Sequence, residues 1–489
     1  MVNVRRLVVA LIAAAGCGTD PIVIAPVIET PTPGTPGAAF PDLDEIELSL
    51  ARVGATDDLS TATFHRGDTI ELTDVPDGDA LILHVTGRLG GADVAYGRSC
   101  AFAFHAGEAP PAMRIYLAQI VHWAERDAPP AARSGGQAIA YHDGRVVLVG
   151  GVDPAGQAVT SLDVFDPEAG TFTVAAQVAA RTGGAAATLG ASGNDGIVVL
   201  GGIDPATGAA STVLERIELD ASPDRRVERL DGPLLARVGA AVTALVDGRV
   251  FVAGGRPVGA PPLATTAEVA PTGTAVREYP ATLAVARTDA TLTVLSGDFG
   301  APVLITGGRD RDDQPVALAE LWKPLAEELA DPAVFRPMMV VPRWGHAAAR
   351  MPDGTVLIIG GLDGAGQPVR ALERFSLDAG FVLARTAAGT PALLPDGIGS
   401  LELAVTALPD DRLLVTGGRA TVGGQRLASA GLISLNTLDG SVGIIATSPM
   451  INPRAGHGAA LLCDGSVLVS GGTADPRPAE RYRPGRERR

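Results

Sequence analysis

Val147-Leu148-Val149-Gly150-Gly151 is the stretch from which the fold is read. The same apolar run closed by a diglycine returns as Val198-Val199-Leu200-Gly201-Gly202, Phe251-Val252-Ala253-Gly254-Gly255 and Leu304-Ile305-Thr306-Gly307-Gly308. It appears again as Leu357-Ile358-Ile359-Gly360-Gly361, Leu414-Val415-Thr416-Gly417-Gly418 and Leu468-Val469-Ser470-Gly471-Gly472. Successive copies lie 51, 53, 53, 53, 57 and 54 residues apart. Seven units at so steady a period mark a repeat architecture in which each unit is one small sheet.

Each copy supplies the rest of a blade. Before the apolar run comes a strand of small residues, as in Gly345-His346-Ala347-Ala348-Ala349 and Gly456-His457-Gly458-Ala459-Ala460. Between the two strands stand Asp143-Gly144, Asp195-Gly196, Asp247-Gly248, Asp353-Gly354 and Asp464-Gly465, read as two-residue hairpin turns with positive φ at both positions. About twelve residues after the diglycine comes a third strand, such as Leu162-Asp163-Val164-Phe165 or Leu372-Glu373-Arg374-Phe375, and then a fourth, Thr171-Phe172-Thr173-Val174 in the first copy. The seventh copy ends at its third strand, Ala479-Glu480-Arg481-Tyr482. An open edge there would be a liability, so a strand near 120–124, Ile120-Val121-His122-Trp123, is expected to close the ring.

From about Val121 to Tyr482 these features resemble the kelch repeat, the unit of the central domain of galactose oxidase and of many binding propellers. Pro337-Met338-Met339-Val340-Val341-Pro342-Arg343 and Pro449-Met450-Ile451-Asn452-Pro453-Arg454 look like the family's blade-joining loop. The family's paired Tyr and Trp are mostly Phe, Leu or Val here. The resemblance implies an all-β, seven-bladed kelch-like β-propeller over 118–485. Ahead of it, alternating stretches between 41 and 117, such as Ile46-Glu47-Leu48-Ser49-Leu50 and Leu81-Ile82-Leu83-His84-Val85, predict a small β-sandwich domain.

The amino terminus reads as an address. Arg5 and Arg6 precede an apolar core, Leu7 to Ala15, too short to span a bilayer. Ala14-Ala15-Gly16-Cys17 resembles the lipobox of bacterial lipoproteins, which implies a signal peptide over 1–16 and a lipid on Cys17. Residues 17–40 carry Pro21, Pro26, Pro31, Pro33 and Pro36, the composition of an extended, solvated tether. The expected location is the cell envelope, lipid-anchored, at the outer membrane.

Hydrophobic residues make up 46% of the chain, enough for several cores. A net charge of −16 argues against a nucleic-acid partner, because the only basic run, Arg483, Arg486, Arg488 and Arg489, reads as a frayed terminus.

Comparison between repeats exposes a covariation. Arg133, Arg181, Arg237, Arg287, Arg343 and Arg454 precede the first strand in six copies, and Asp163, Glu215, Glu268, Glu320, Glu373 and Glu480 stand in the third. The sixth copy, Ser400 to Leu435, lacks the arginine and has Gly431 in place of the acid. Loss of both together favours a structural ion pair over arginines that hold an anionic ligand.

Candidate binding residues lie on the loops after the diglycines, Asp153, Asp204, Arg256, Arg309, Asp310, Asp363 and Arg419, with Trp344 on the same face. The family's copper chemistry would need tyrosines and histidines that this chain does not cluster. No Gly-x-Ser-x-Gly elbow or zinc spacing occurs, so neither metal nor other cofactor is expected. His346 and His457 occupy equivalent repeat positions and are read as packing residues. Cys100 and Cys463 are candidates for a disulfide. The sequence thus predicts a monomeric binding or scaffold lipoprotein with a protein or glycan partner. The alternative is a carbohydrate-active epimerase or lyase on the same fold.

Overall fold

The computed structural model describes residues 23–31 and 43–486, apart from 56, 66, 74, 106–107, 109–112, 191–195, 332 and 474–478. Cys17, the expected signal peptide over 1–16 and most of the expected tether lie outside the described residues.

Among the described residues seven four-stranded antiparallel sheets follow one another. In the first, Gln137–Ala140, Val146–Val149, Ser161–Asp166 and Thr171–Gln177 pair in that order. The first strand of each sheet packs against the first strands of both neighbours, from blade one round to blade seven and back, which makes a closed ring about a central channel. In the seventh sheet the outermost strand is His122–Glu125, paired with Glu480–Arg483 so that Trp123 stands opposite Tyr482. These two rings lie 5.1 Å apart, and Trp123 Nε1 donates to the Ser448 carbonyl at 3.0 Å.

The diglycine strand is apolar throughout because both of its faces are covered. Val146 and Leu148 pack towards blade seven, whereas Val147 and Val149 pack towards blade two. The same alternation gives seven wedge-shaped cores, one between each pair of adjacent blades. Each buried Val or Leu contributes about 1.5–3 kcal/mol, so stability is spread around the ring.

The diglycine itself has two separate causes. Gly150 and Gly151 hold φ of 69° and 85°. A Cβ on Gly151 would lie 2.8 Å from Gly136 N and Ser134 O in its own blade. At the preceding position, a Cβ on Gly201 would lie 2.5 Å from the Arg237 carbonyl of the next blade. One glycine allows the first strand to turn in; its partner lets blades approach.

The Asp-Gly hairpins differ from the expected two-residue form. At Gly144, Gly248, Gly354 and Gly465 only the glycine is left-handed, for example Gly144 at φ 90°, whereas Gly196 of blade two is the first residue of a strand and pairs with Leu189. Gly144 N donates to Tyr141 O and Tyr141 N to Arg145 O, the pattern of a three-residue loop with glycine in the bulge position. The aspartate instead accepts from the backbone two residues on, as Asp143 does from Arg145 N at 3.0 Å.

The small domain is built on one six-stranded antiparallel sheet whose longest strands are Glu45–Arg52, Asp58–His65, Gly78–Leu89 and Ala92–Arg98. Its second layer is thin, two ribbons that pair Val23–Ile24 with Leu72–Thr73 and Val27–Glu29 with Arg114–Tyr116. The tether expectation is therefore corrected for residues 23–29: Ile24 is 1% exposed and sits in the same core as Leu48, Leu83 and Ile115. The apolar residues among the prolines gain more by burial than the segment loses by ordering.

The small domain covers the hairpin-turn side of blades seven and one. Cys100 is bonded to Cys463 in the blade-seven hairpin, and Arg483 Nη2 donates to the Tyr116 carbonyl at 3.0 Å. Arg481 and Arg483 share the carboxylate of Asp464, which lies at the same turn. Those two arginines hold that carboxyl below its usual range against an opposing effect of burial. Arg486 pairs with Asp58 at 2.6 Å. The basic tail is thus fixed as far as residue 486, not frayed, because each of its described arginines meets an acceptor.

Candidate functional site

The six repeat arginines are pins inside the blades. Their side chains are almost fully buried, with Arg287, Arg343 and Arg454 at 0% exposed. In every one of the six, Nη1 donates to the carbonyl of the first glycine of its diglycine, at 2.8–3.3 Å. Five of them also meet the third-strand acid: Arg133–Asp163, Arg181–Glu215, Arg287–Glu320, Arg343–Glu373 and Arg454–Glu480, at 2.5–2.8 Å. The acid in turn caps the blade-joining loop, as Glu373 does by accepting from Val340 N and Val341 N. Burial lowers the pKa of Arg343 and of its equivalents Arg133, Arg181 and Arg287, opposed by their carboxylate partners.

Blade three corrects one pair. Glu268 stands opposite Phe251, whereas Glu373 and the other acids stand opposite the residue two before the diglycine; in blade three that partner position, Val252, faces Ala267. A one-residue offset turns a strand side chain to the opposite face. Glu268 therefore meets Arg249 and Arg277, and Arg237 donates to the Leu234 carbonyl of the Pro233–Leu235 turn instead.

Blade six replaces the pair with main chain and an aliphatic side chain. Gly399 N donates to the Gly417 carbonyl at 3.0 Å, which takes the place of the arginine bond. A Cβ on Gly399 would lie 2.3 Å from Arg419 N, so only glycine fits. Ile398 fills the space beside Gly431.

At the other side of the ring from the small domain, the loops after the diglycines surround the channel mouth. Asp153, Asp204, Asp310 and Asp363 there are turn formers: each accepts from the backbone N–H two residues on, at 2.8–2.9 Å. The arginines are different. Arg309 donates through Nε and Nη2 to Asp289 at 3.1 and 2.6 Å, and its guanidinium lies 4.5 Å over the Trp344 ring of the next blade. Arg419 Nε donates to Glu402 at 2.9 Å. Arg256, 3.9 Å from Asp313, is the loosest of the three.

Three of these partners, Asp289, Asp313 and Glu402, escape the sequence reading. Asp289 and Glu402 sit two residues after the arginine position, where the other five blades have Gly135, Gly183, Gly239, Gly345 and Gly456. All seven are left-handed, Asp289 at φ 58° and Glu402 at φ 56°. Asp313 is likewise left-handed, at φ 56°, where blades one, two, three, five and six have Gly156, Gly208, Gly259, Gly366 and Gly423. An acid at a position that the repeat reserves for glycine is the signal that would have found them. Left-handed backbone costs a non-glycine residue about 1–2 kcal/mol. The same exchange occurs on the opposite face at Glu327, paired with Arg277. The arginines of the mouth and the acids that pair with them lie in blades three, four and six. Blades seven, one and two offer Ala455, Ser134, Val152, Thr182 and Ile203 at the matching positions.

His346 and His457 are buried between blades. His346 Nε2 is 3.0 and 3.1 Å from the Thr291 and Thr306 hydroxyls, and His457 Nε2 is 2.8 Å from that of Thr416. Burial, with Arg343 or Arg454 nearby, pushes both rings down to about 3. Among the described residues no group of three His, Cys, Asp or Glu is placed to hold a metal ion.

The Kelch motif family profile matches residues 133–178, the first blade from its arginine to its fourth strand. A fungal alcohol oxidase of the AA5 family, solved with copper, is similar in structure with a TM-score of 0.55 at 12% identity, over 74% of this chain and 75% of that one. The structure of YjhT matches 61% of this chain and 93% of its own, with a TM-score of 0.45 at 15% identity. No curated protein sequence matches. At these identities the likeness is one of fold. The chain folds as a kelch-like β-propeller: its first blade matches the Kelch motif and its fold is similar to that of the AA5 oxidase.

Proposed function

We propose that the protein is an exported, lipid-anchored binding propeller that turns the ion-paired side of its channel mouth away from the membrane. One observation carries the reading: the two faces of the ring are differently occupied. The small domain covers the hairpin-turn face at blades seven and one. Arg256, Asp289, Arg309, Trp344, Glu402 and Arg419 gather on the opposite face.

Anchoring fits that polarity. Cys17 lies six positions before Val23, which is already paired with Thr73. A chain spans at most about 3.5 Å per residue, so six positions reach no further than roughly 20 Å. The small domain would rest close to the headgroups and the mouth would face outward, towards a protein or glycan. A carbohydrate-converting enzyme would need an acid or base free to exchange a proton. Asp289 and Glu402 are each held by an arginine, which favours binding.

Two measurements test this. Cys17→Ser should move the mature protein into the soluble fraction; unchanged membrane partition would end the anchoring. Thermal-shift screening against metabolite and glycan pools should yield a ligand whose stabilisation is lost in Trp344→Ala. A ligand indifferent to Trp344, Arg309 and Arg419 would place binding elsewhere.

A further inference from the structure

The hairpin-turn face of the ring is only partly covered. The small domain meets it at blades seven and one, and blade four, three places from either, stands at the far end of that face. Two loops of blade four end there in apolar residues. In blades one, three, five, six and seven the first hairpin closes within five residues, as Tyr141 to Arg145 does, but in blade four it runs from Leu295 to Pro302. The added length carries Phe299, 69% exposed and the one exposed aromatic side chain among the described residues. Leu325, 66% exposed, comes from the second loop and meets the first: a Cβ on Gly300 would lie 2.5 Å from Leu325 Cδ1.

The second loops can be compared at one position. Asp166 to Gly170, Lys323 to Glu327 and Asn436 to Gly440 form the same turn, with a left-handed fifth residue whose N–H donates to the carbonyl of the first. In blade one this loop reaches the small domain, since a Cβ on Gly170 would lie 3.6 Å from a Glu29 carboxylate oxygen, and its middle residue is Glu168. In blades four and six, away from that domain, the middle residue is Leu325 or Leu438. Leu438 is 96% exposed, and Leu377 on the blade-five loop is 52% exposed. The loops of blades two and three carry Asp224 and Thr272 instead. A single exposed leucine needs no explanation; four large apolar side chains at the loop ends of one sector do. They stand on separate loops of three blades and outline no groove, which suits a fluid apolar phase that needs no matching shape.

Charge narrows the kind of surface. Lys323 pairs with Glu328 at 3.2 Å, Arg277 with Glu327 at 2.6 Å and Arg412 with Asp410, while Arg374 serves the Gly440 carbonyl and Asp353. Asp298, Asp378, Asp411 and Asp439 are left over, with Arg350 the one unpaired cation on these loops among the described residues. An excess of acid repels anionic headgroups. The face therefore suits a zwitterionic surface, held by apolar burial.

This rests on the anchored orientation proposed above, in which Cys17 is tied to the small-domain end of this face. We infer that the far end completes the contact: Phe299, Leu325, Leu377 and Leu438 enter a zwitterionic lipid surface, and the propeller stands on the membrane at two places.

The test uses the full mature chain, lipidated, on phosphatidylcholine vesicles with brominated acyl chains, which quench tryptophan on contact. Trp123 and Trp322 are buried, and Trp344 lies on the opposite face, so the native background is constant. Phe299→Trp and Leu438→Trp should lose emission in these vesicles. Val422→Trp, at a position 67% exposed on the opposite face, should keep it. Replacing part of the lipid by phosphatidylglycerol should reduce the quenching, and a rise would overturn the zwitterionic class. Flotation with the vesicles while Phe299→Trp and Leu438→Trp stay unquenched would overturn this contact and leave the anchor standing. Quenching of Val422→Trp in their place would overturn the orientation too, and a chain that does not float would end both readings. A dimer of the Cys17→Ser chain that Phe299→Ser dissolves would assign the tip to a second copy and overturn the lipid contact.

Discussion

Ile398 occupies, in blade six, the space that a glycine at 431 leaves open: a Cβ on Gly431 would lie 3.0 Å from Ile398 Cδ1. Five blades fill the corresponding region with a buried arginine–carboxylate pair, and blade six fills it with an aliphatic contact. A buried ion pair and a packed apolar pair are near equals in stability, but half of a pair is costly.

Gly431→Glu should therefore destabilise the propeller by about 3 kcal/mol or more, because a carboxylate is buried without a cation. Adding Ser400→Arg should not rescue it, since Gly399 N already occupies the Gly417 carbonyl that an arginine would need. Glu373→Gln is the converse change. It leaves Arg343 uncompensated and should cost about 3 kcal/mol. Urea denaturation of the single and double variants checks both; recovery in the Gly431→Glu, Ser400→Arg protein would refute the replacement.

Closure of the ring gives a second expectation. Trp123 is 2% exposed, packed against Tyr482, Val467 and Val469. Trp123→Ala should cost about 3–5 kcal/mol. A truncation starting at Ala131 should aggregate, because Glu480–Arg483 would be left an open edge. A stable monomer from that truncation, seen by light scattering, would show that the strand is dispensable.

The Cys100–Cys463 bond closes a loop of 363 positions and ties the small domain to the last blade. Loop-closure entropy assigns such a link roughly 6 kcal/mol. Peptide mapping without reductant should recover the linked pair, and reductant or Cys463→Ser should lower the thermal midpoint. An unchanged midpoint would mean that Asp464, Arg481 and Arg483 hold the domains unaided.

Acid sensitivity should trace to His346 and His457. Both are held neutral when folded down to about pH 3, whereas the unfolded chain protonates them near 6.5. The unfolded state thus binds more protons between these limits. Stability is full above about pH 6.5 and is lost as pH falls towards 3, at about 1 kcal/mol per pH unit for each histidine. Replacing both by leucine, the residue of blade six at Leu403, should flatten the pH dependence of urea midpoints over that range. A slope that persists would assign it to His84, which burial pushes down to about 4, or to the carboxylates.

Some of these features were legible in the chain because they obey local rules. A strand covered on both faces must be apolar throughout, and a left-handed turn against a neighbour's backbone must be glycine, so Val147 to Gly151 announces itself seven times. The arginine–acid pairs were legible because repeats can be compared with one another. Their failure in blade three was not: Glu268 differs from its counterparts by one residue of register, and register is set by pairing with Phe251. The strands at 23–29 were hidden for a similar reason, since proline-rich composition says little about where Ile24 finds a core.

The sequence by itself thus determined the blade, its period, its count and the strand that closes the ring, all consequences of periodicity and of the glycine backbone. Tertiary structure alone decided what the mouth is made of. Arg309 and Trp344 belong to adjacent blades, Asp289 meets Arg309 only through its left-handed backbone, and the small domain reaches Cys463 from the far end of the chain. Contacts between residues distant in sequence depend on how the blades close. No local pattern encodes that.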